Sequence, residues 1–199
     1  MKKIILSLVF VLGSVHSANA VEGDVKLGQQ KSAMCAACHG PDGNSLVSMY
    51  PSLAGQSASY VAKQLADFKS GERQDPVMVG MVAGLSATDM NDLAAYYAVQ
   101  IPKAGVGEGS AAGHKLYFGG DVKKGITACV ACHGVKGQGM AQAGFPAIAG
   151  QNSDYLKKQI TTFRDGSRSN DKNNMMRNIA INLSDSDIDE LVKYMSSLK

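Results

Sequence analysis

The motif Cys-x-x-Cys-His occurs twice in this chain of 199 residues, and the two copies use all four cysteines. Two thiols one helical turn apart can each add to a vinyl group of a porphyrin, and the adjacent histidine can then bind the iron, so this spacing is typical of c-type haem attachment. The sequence therefore predicts two covalently bound haem c groups. The predicted attachment residues and iron ligands are Cys35, Cys38 and His39 in the first copy, and Cys129, Cys132 and His133 in the second.

Four cysteines could instead form two disulfides or one zinc site. Zinc would use both Cys-x-x-Cys pairs, but the pairs lie far apart and the two adjacent histidines would have no role. A thioredoxin-like redox site uses one such pair in a strand-helix context, without the following histidine. The spacing favours haem over all three alternatives.

The haem motifs belong to a longer internal repeat, which predicts two copies of one small domain. The motifs lie 94 residues apart, the segments that follow them match at an offset of 95, and the C-terminal parts match at 98, so only small loop insertions separate the copies. Matching pairs include Pro51 and Pro146, Gln56 and Gln151, Tyr60 and Tyr155, Gln64 and Gln159, Arg73 and Arg168, and Leu93 and Leu191.

The second axial ligand of each iron must come from elsewhere in the chain. His16 lies in the N-terminal segment and His114 has no counterpart in the first half, so histidine cannot fill both positions. Methionine with histidine is the usual ligand pair of electron-carrying haem. Met78 and Met176 match at the offset of 98, and we expect them to be the distal ligands, on the loop that enters the last helix of each half. Their neighbours Met81 and Met175 are the alternatives.

Helical periodicity places the elements that must position these residues. Helices are expected over 24–34, over 57–70, from Ser86 to about Gln100 and over the apolar face from Ile188 to Met195. No useful stretch alternates as a strand does. The expected fold is all-α, a tandem of two haem domains at 21–100 and 111–199 joined by a proline- and glycine-containing linker at 101–110.

The N-terminal residues 1–20 read as a secretory signal peptide cleaved after about Ala20. Lys2 and Lys3 precede a short apolar run, and Ala18-Asn19-Ala20 is a small-x-small cleavage site. The alternative is an uncleaved membrane anchor, although the run is short for a span. Removing the two lysines lowers the formal charge from +3 to +1, and no concentrated basic face suggests nucleic-acid binding.

Two further pairs are candidates for supporting the haem. The carbonyls of Pro51 and Pro146 could accept a hydrogen bond from the motif histidines, because a ligating histidine usually donates its other ring N–H. The alternative is that these prolines only interrupt regular structure in a loop. Arg73 and Arg168 could meet haem propionates, but a solvated helix end is the preferred interpretation for both.

These residues resemble the dihaem cytochromes c4 over nearly all of the mature chain. The resemblance rests on Cys-Ala-Ala-Cys-His-Gly, on segments 42–45, 51–56 and 144–151, and on Met176-Arg177. It implies two class I cytochrome c domains related by a pseudo-twofold axis, with histidine and methionine on each iron. It also implies periplasmic electron transfer between redox partners, often toward a terminal oxidase, and association with the membrane surface.

The leading functional prediction is a periplasmic dihaem electron carrier with no catalytic activity of its own, because two saturated irons suit outer-sphere transfer. A dihaem peroxidase would need an open iron, which two matched methionines argue against. A cytochrome subunit bound to a flavoprotein dehydrogenase would have a similar sequence, and a stoichiometric partner would identify it.

Overall fold

The computed structural model of the protein describes residues 22–199, so the expected signal peptide lies outside the described residues. Within 22–199 the regular structure is helical, and strand-like pairing is limited to two isolated bridges, Asp121 with Ile126 and Met140 with Phe145. The prediction of an all-α fold is confirmed. In this same range no helix combines the length and the apolar character needed to cross a membrane.

The first half is built on a packed pair of helices, one from each end of its sequence. α1 packs against α5, and α3 also packs against α5. At Gly28 the backbones of α1 and α5 approach so closely that a Cβ atom would lie 2.0 Å from the carbonyl oxygen of Asp92, which requires glycine there. The helices are α1 (Val25–Lys31), α2 (Ala36–His39), α3 (Ala58–Ser70), α4 (Pro76–Val82) and α5 (Ala87–Ala98).

The second half repeats this plan. α6 packs against α10 in the way that α1 packs against α5, and Gly113 meets the carbonyl of Glu190 at the same 2.0 Å. α8 packs against both α9 and α10. The helices are α6 (Ala111–Gly119), α7 (Val130–His133), α8 (Ser153–Arg164), α9 (Met175–Ala180) and α10 (Asp185–Ser197).

Local sequence signals explain where the longest helices begin and end. Ser57 caps the start of α3 by accepting from the Tyr60 N–H, and Gly71 ends it in the left-handed conformation. Ser86 and Ser184 each form a complete capping box at the start of the last helix of their half. These caps set where α5 and α10 begin, and the segments before them carry Met78 and Met176.

The two halves meet through equivalent contacts made in both directions. The guanidinium of Arg73 donates to the hydroxyl of Tyr155 (2.9 Å), and that of Arg168 donates to the hydroxyl of Tyr60 (3.0 Å). Residues related by the internal repeat therefore exchange partners across the interface, as a pseudo-twofold axis requires.

Both arginines are buried, with 7 % and 8 % of their surface exposed, so the solvated-helix-end interpretation is wrong. Each lies over the phenylalanine of its own half, Arg73 over Phe68 and Arg168 over Phe163, and donates to the amide oxygens of Gln64 and Gln159. Tertiary contacts from the other domain, which the local sequence does not show, account for the burial.

Candidate haem-binding sites

Each motif histidine is buried and held by a proline carbonyl. The Nδ1 atom of His39 lies 2.8 Å from the oxygen of Pro51, and that of His133 lies 2.9 Å from the oxygen of Pro146. A carbonyl can only accept, so Nδ1 must carry the proton and Nε2 of the neutral ring keeps its lone pair. The predicted support by both prolines is confirmed, and each ring presents the nitrogen that a metal would bind.

The electrostatics of the motifs favour a metal ligand over a redox thiol. Burial lowers the pKa of His39 and of His133 below the ordinary histidine value, so both rings are neutral at neutral pH. Burial also raises the pKa of the Cys35 thiol, and it raises that of Cys129 to about 11. Reactive dithiols instead have lowered pKa values, so the redox-thiol alternative is disfavoured.

The cysteines fit covalent attachment of a haem. All four are half-buried free thiols, so neither pair is joined as a disulfide. In each motif the first cysteine directly precedes a four-residue helix, α2 or α7, and the second lies within it. The residues of both motifs thus suit a haem, and haem attachment and iron ligation by them stay predictions.

The two methionines lie on short helices, so the expectation of a loop is wrong. Met78 is on α4, which begins because the Asp75 carboxylate accepts from the N–H groups of Val77 and Met78 and because Pro76 occupies the first turn. Met176 is on α9, and its side chain packs partly buried against the core of the second half. Their role as distal ligands stays a prediction.

Met81 and Met175, the alternative distal ligands, lie on the same helices as the predicted ones, whereas His114 lies at the surface. Met81 lies on α4 one turn after Met78, and Met175 opens α9. His114 is exposed and packs against Phe118 and Tyr194, with ring centroids 4.7 Å and 5.3 Å apart. A surface aromatic cluster therefore accounts for His114.

Sequence reasoning missed one buried tyrosine in each half that lies against the first cysteine of its motif. The pKa of Tyr97 is raised by burial first and then by Cys35, and that of Tyr117 is raised by burial first and then by Cys129. They come from different helices, α5 and α6, so the repeat does not pair them and gave no signal for them.

Two buried cations lie side by side at the domain interface. The guanidinium groups of Arg73 and Arg168 share the amide oxygens of Gln64 and Gln159 as acceptors, at 2.7–3.0 Å. Burial alone would raise the pKa of Tyr155, but these two positive charges lower it below the usual tyrosine value. Two buried cations held by neutral partners suit a negatively charged group near the interface.

Comparisons with known proteins agree with this duplicated geometry. The family model for cytochrome c matches twice, over residues 25–98 and 110–199. The chain is 42% identical to cytochrome c4 of Pseudomonas aeruginosa over 201 residues, covering all of both chains. It is 39% identical to a thiosulfate dehydrogenase electron acceptor of Stutzerimonas stutzeri, over 82% of this chain and 78% of that protein.

A solved structure is similar to this chain over most of the chain's length. The crystal structure of reduced recombinant cytochrome c4 from Pseudomonas stutzeri superposes with a TM-score of 0.87 at 41% identity, covering 89% of this chain and all of that one. The expected fold, a tandem of two cytochrome c domains, is confirmed.

Proposed function

The chain belongs to the dihaem cytochrome c4 family, an electron-transfer family with two covalent haem c groups, and on that basis we propose that it carries electrons in the periplasm between respiratory-chain partners, toward a terminal oxidase. The signal-peptide pattern of residues 1–20 supports export to the periplasm. We further propose domain boundaries at 21–100 and 111–199, which the two matched ranges support.

The observation that carries this proposal is the duplicated histidine site. In both halves a buried neutral imidazole is fixed by a proline carbonyl, and a matched methionine follows on a short helix. An electron carrier requires two permanently filled axial positions, because then no substrate can bind the metal. We propose that His39 with Met78, and His133 with Met176, fill these positions, and that the chain itself catalyses no reaction.

When bound, each haem supplies a one-electron couple. The residues of this chain determine how that couple behaves. Pro51 and Pro146 orient the imidazoles through the Nδ1 protons, so Nε2 needs little rearrangement when the charge on the metal changes. The cysteines of each motif would hold the porphyrin edge, and the thioethers of Met78 and Met176 would keep water and small ligands from the sixth position.

The test is an absorption spectrum of the mature protein, oxidised and reduced, with carbon monoxide added to the reduced form. We expect two covalent haems per chain, a methionine-to-iron charge-transfer band in the oxidised protein and no response to carbon monoxide. A carbon monoxide shift in half of the haem would mean that one iron is open, and a peroxidase would then be the better assignment.

A second candidate is a cytochrome subunit of a dehydrogenase. The similarity to a thiosulfate dehydrogenase electron acceptor favours it. A flavoprotein dehydrogenase is the other partner considered, and with either partner we expect a stoichiometric complex. Purification of the protein from its native membrane and periplasmic fractions separates the two. A dehydrogenase subunit in one-to-one ratio supports the complex, whereas a free dihaem protein supports the mobile carrier.

A further inference from the structure

Two buried glutamines cross the domain interface and bind the backbone next to the prolines that hold the histidines. Gln151 accepts from the N–H of Ser52 (2.8 Å) and donates to the oxygen of the same residue (2.9 Å). Gln56 makes the equivalent pair with Ala147, at 3.0 Å and 2.9 Å. Because a backbone N–H only donates and a carbonyl only accepts, each amide has one orientation.

The contact in the first domain forms part of a continuous chain of hydrogen bonds. The oxygen of Pro51 and the N–H of Ser52 belong to one peptide group. At one end this group accepts from Nδ1 of His39 at 2.8 Å, and at the other it donates to Oε1 of Gln151. The axial histidine of domain 1 is thus joined through a single peptide to a side chain of domain 2.

The second domain contains the same chain in the opposite direction. The peptide between Pro146 and Ala147 accepts from Nδ1 of His133 at 2.9 Å and donates to Oε1 of Gln56 at 3.0 Å. Gln56 and Gln151 are only 8 % and 9 % exposed, so water does not compete freely for these bonds. Two independent copies of one arrangement make an accidental contact a poor explanation.

Hydrogen bonds in a chain polarise one another, and this effect is stronger in a low-dielectric interior. A peptide whose N–H is engaged has a more negative carbonyl oxygen, which draws the Nδ1 proton more strongly and makes the imidazole a stronger electron donor to a metal. A stronger donor stabilises the ferric form and lowers the reduction potential.

We propose that Gln151 and Gln56 are positioning residues that set the reduction potential of the haem in the opposite domain, Gln151 for domain 1 and Gln56 for domain 2. This inference rests on the proposed function, since it requires both irons to be bound by the motif histidines. The docking of the domains then fixes both potentials.

The experiment compares Gln151→Met and Gln56→Met, which keep the side-chain length and remove the amide. Redox titration is followed by NMR, with backbone signals of α1 (25–31) reporting the oxidation of haem 1 and those of the equivalent α6 (111–119) that of haem 2. We expect Gln151→Met to raise the potential of haem 1 more than that of haem 2, and Gln56→Met to do the reverse. The Nδ1 proton of the affected histidine should also exchange faster with solvent.

Asn152→Ala is the matched control for a loosened interface. The Asn152 side chain donates across the interface to the oxygens of Tyr50 (2.7 Å) and Val47 (3.2 Å), but not to the peptide that holds His39. It should leave the difference between the two potentials unchanged. Equal shifts of both haems, a larger shift for the haem of the variant's own domain, or a control that reproduces the effect would overturn the inference.

The proposed function can fail separately. Carbon monoxide binding to the unmodified protein would reject the closed-site electron carrier. A closed, reversible dihaem protein in which Gln151→Met leaves the first potential and the His39 proton exchange unchanged would reject the role of the glutamines alone.

Discussion

The two domains hold their histidines in the same way but fill the space beside the first cysteine differently. In domain 1 the buried aromatic is Tyr97 from the last helix, and its position in the repeat corresponds to Met195 in domain 2. In domain 2 the buried aromatic is Tyr117 from the first helix of that half, with none of its surface exposed. The hydrogen bonds to the histidine ring are the same in both copies. The space around the first cysteine, in contrast, is filled by different side chains in the two domains.

The hydrogen bonding of the two tyrosines also differs. Tyr117 donates to the oxygen of Gly134 at 2.7 Å. The buried hydroxyl of Tyr97 makes no hydrogen bond of ordinary geometry within residues 22–199, and the thiol of Cys35 is the polar group beside it. The buried apolar cluster is also more extensive in domain 2, where it is continuous and includes Tyr117, Leu191 and Met195. The cluster of domain 1 is confined to Leu93, Tyr96 and Tyr97. Domain 1 should therefore depend more on its haem for a complete core.

Removal of one haem gives the largest expected effect. Replacing Cys35 and Cys38 by serine should reduce covalent haem from two per chain to one, and domain 1 should lose most of its amide protection. Replacing Cys129 and Cys132 should remove the other haem, but α6, α8 and α10 should keep more protection because their apolar cluster is continuous.

Haem-stained denaturing gels measure attachment, and hydrogen exchange measured separately over 22–100 and 111–199 measures order. Equal loss of protection in the two domains would contradict the proposed difference in core packing. Two remaining haems in either variant would contradict the attachment sites themselves.

Truncation of one distal methionine comes next. Met78→Ala should open the first haem to carbon monoxide and leave the second closed, and Met176→Ala should do the reverse. Met176 also packs against the domain 2 core, so its truncation should cost about 2 kcal/mol of unfolding free energy through lost packing, more than truncation of Met78. Carbon monoxide titration and denaturant unfolding measure the two effects. A variant in which both irons stay closed would reassign the ligand to Met81 or Met175.

Sequence reasoning was sufficient where the function of a residue depends on its neighbours along the chain. The haem motifs, the supporting prolines and the all-α fold depend on local spacing or on the repeat. Asp75-Pro76 also carried a local helix-start signal for α4, so the helix under Met78 could have been predicted.

Other features depend on residues distant in sequence and could not be predicted in this way. α9 follows Asn173 and Asn174, both with positive φ, and no side-chain cap marks its start. The burial of Arg73 and Arg168 depends on side chains of the other domain. Tyr97 and Tyr117 lie at positions that the repeat does not pair, so a comparison of matching residues cannot identify them.

Removing the two tyrosine hydroxyls should affect stability unequally. Tyr117→Phe removes the 2.7 Å hydrogen bond to the oxygen of Gly134, which keeps its bond from the Gly137 N–H, and should lower the free energy of unfolding by about 0.5–1.5 kcal/mol. Tyr97→Phe removes a buried hydroxyl that makes no hydrogen bond of ordinary geometry among the described residues, and it should leave stability unchanged or raise it. Denaturant unfolding of both variants with haem attached measures the difference. Similar losses in both would show that the Tyr97 hydroxyl is hydrogen-bonded when haem is present.

The smallest expected effect concerns the charges that join the terminal helices. In domain 1, Nζ of Lys31 lies 2.6 Å from carboxylate oxygens of both Asp89 and Asp92, which ties α1 to α5. In domain 2, Lys124 contacts Asp187 at 2.8 Å, from the loop after α6. The hydrogen bond to Lys31 is the main cause that lowers the pKa of Asp89 and of Asp92 below the usual carboxyl value.

Because these carboxyls are more acidic in the folded protein, their contribution to stability is complete above the unfolded pKa of about 3.9 and is lost as the pH falls through the lowered values. Lys31→Met should therefore reduce the unfolding free energy at neutral pH and flatten its decrease below about pH 4. Lys124→Met should have a weaker effect, since its lysine engages one carboxylate and partly exposed ion pairs contribute little. Unfolding measured at neutral pH and near pH 2 tests this directly. A Lys31→Met deficit that persists at the acid pH, where the carboxyls are protonated, would mean that the packing of the lysine stem, and not its charge, joins α1 to α5.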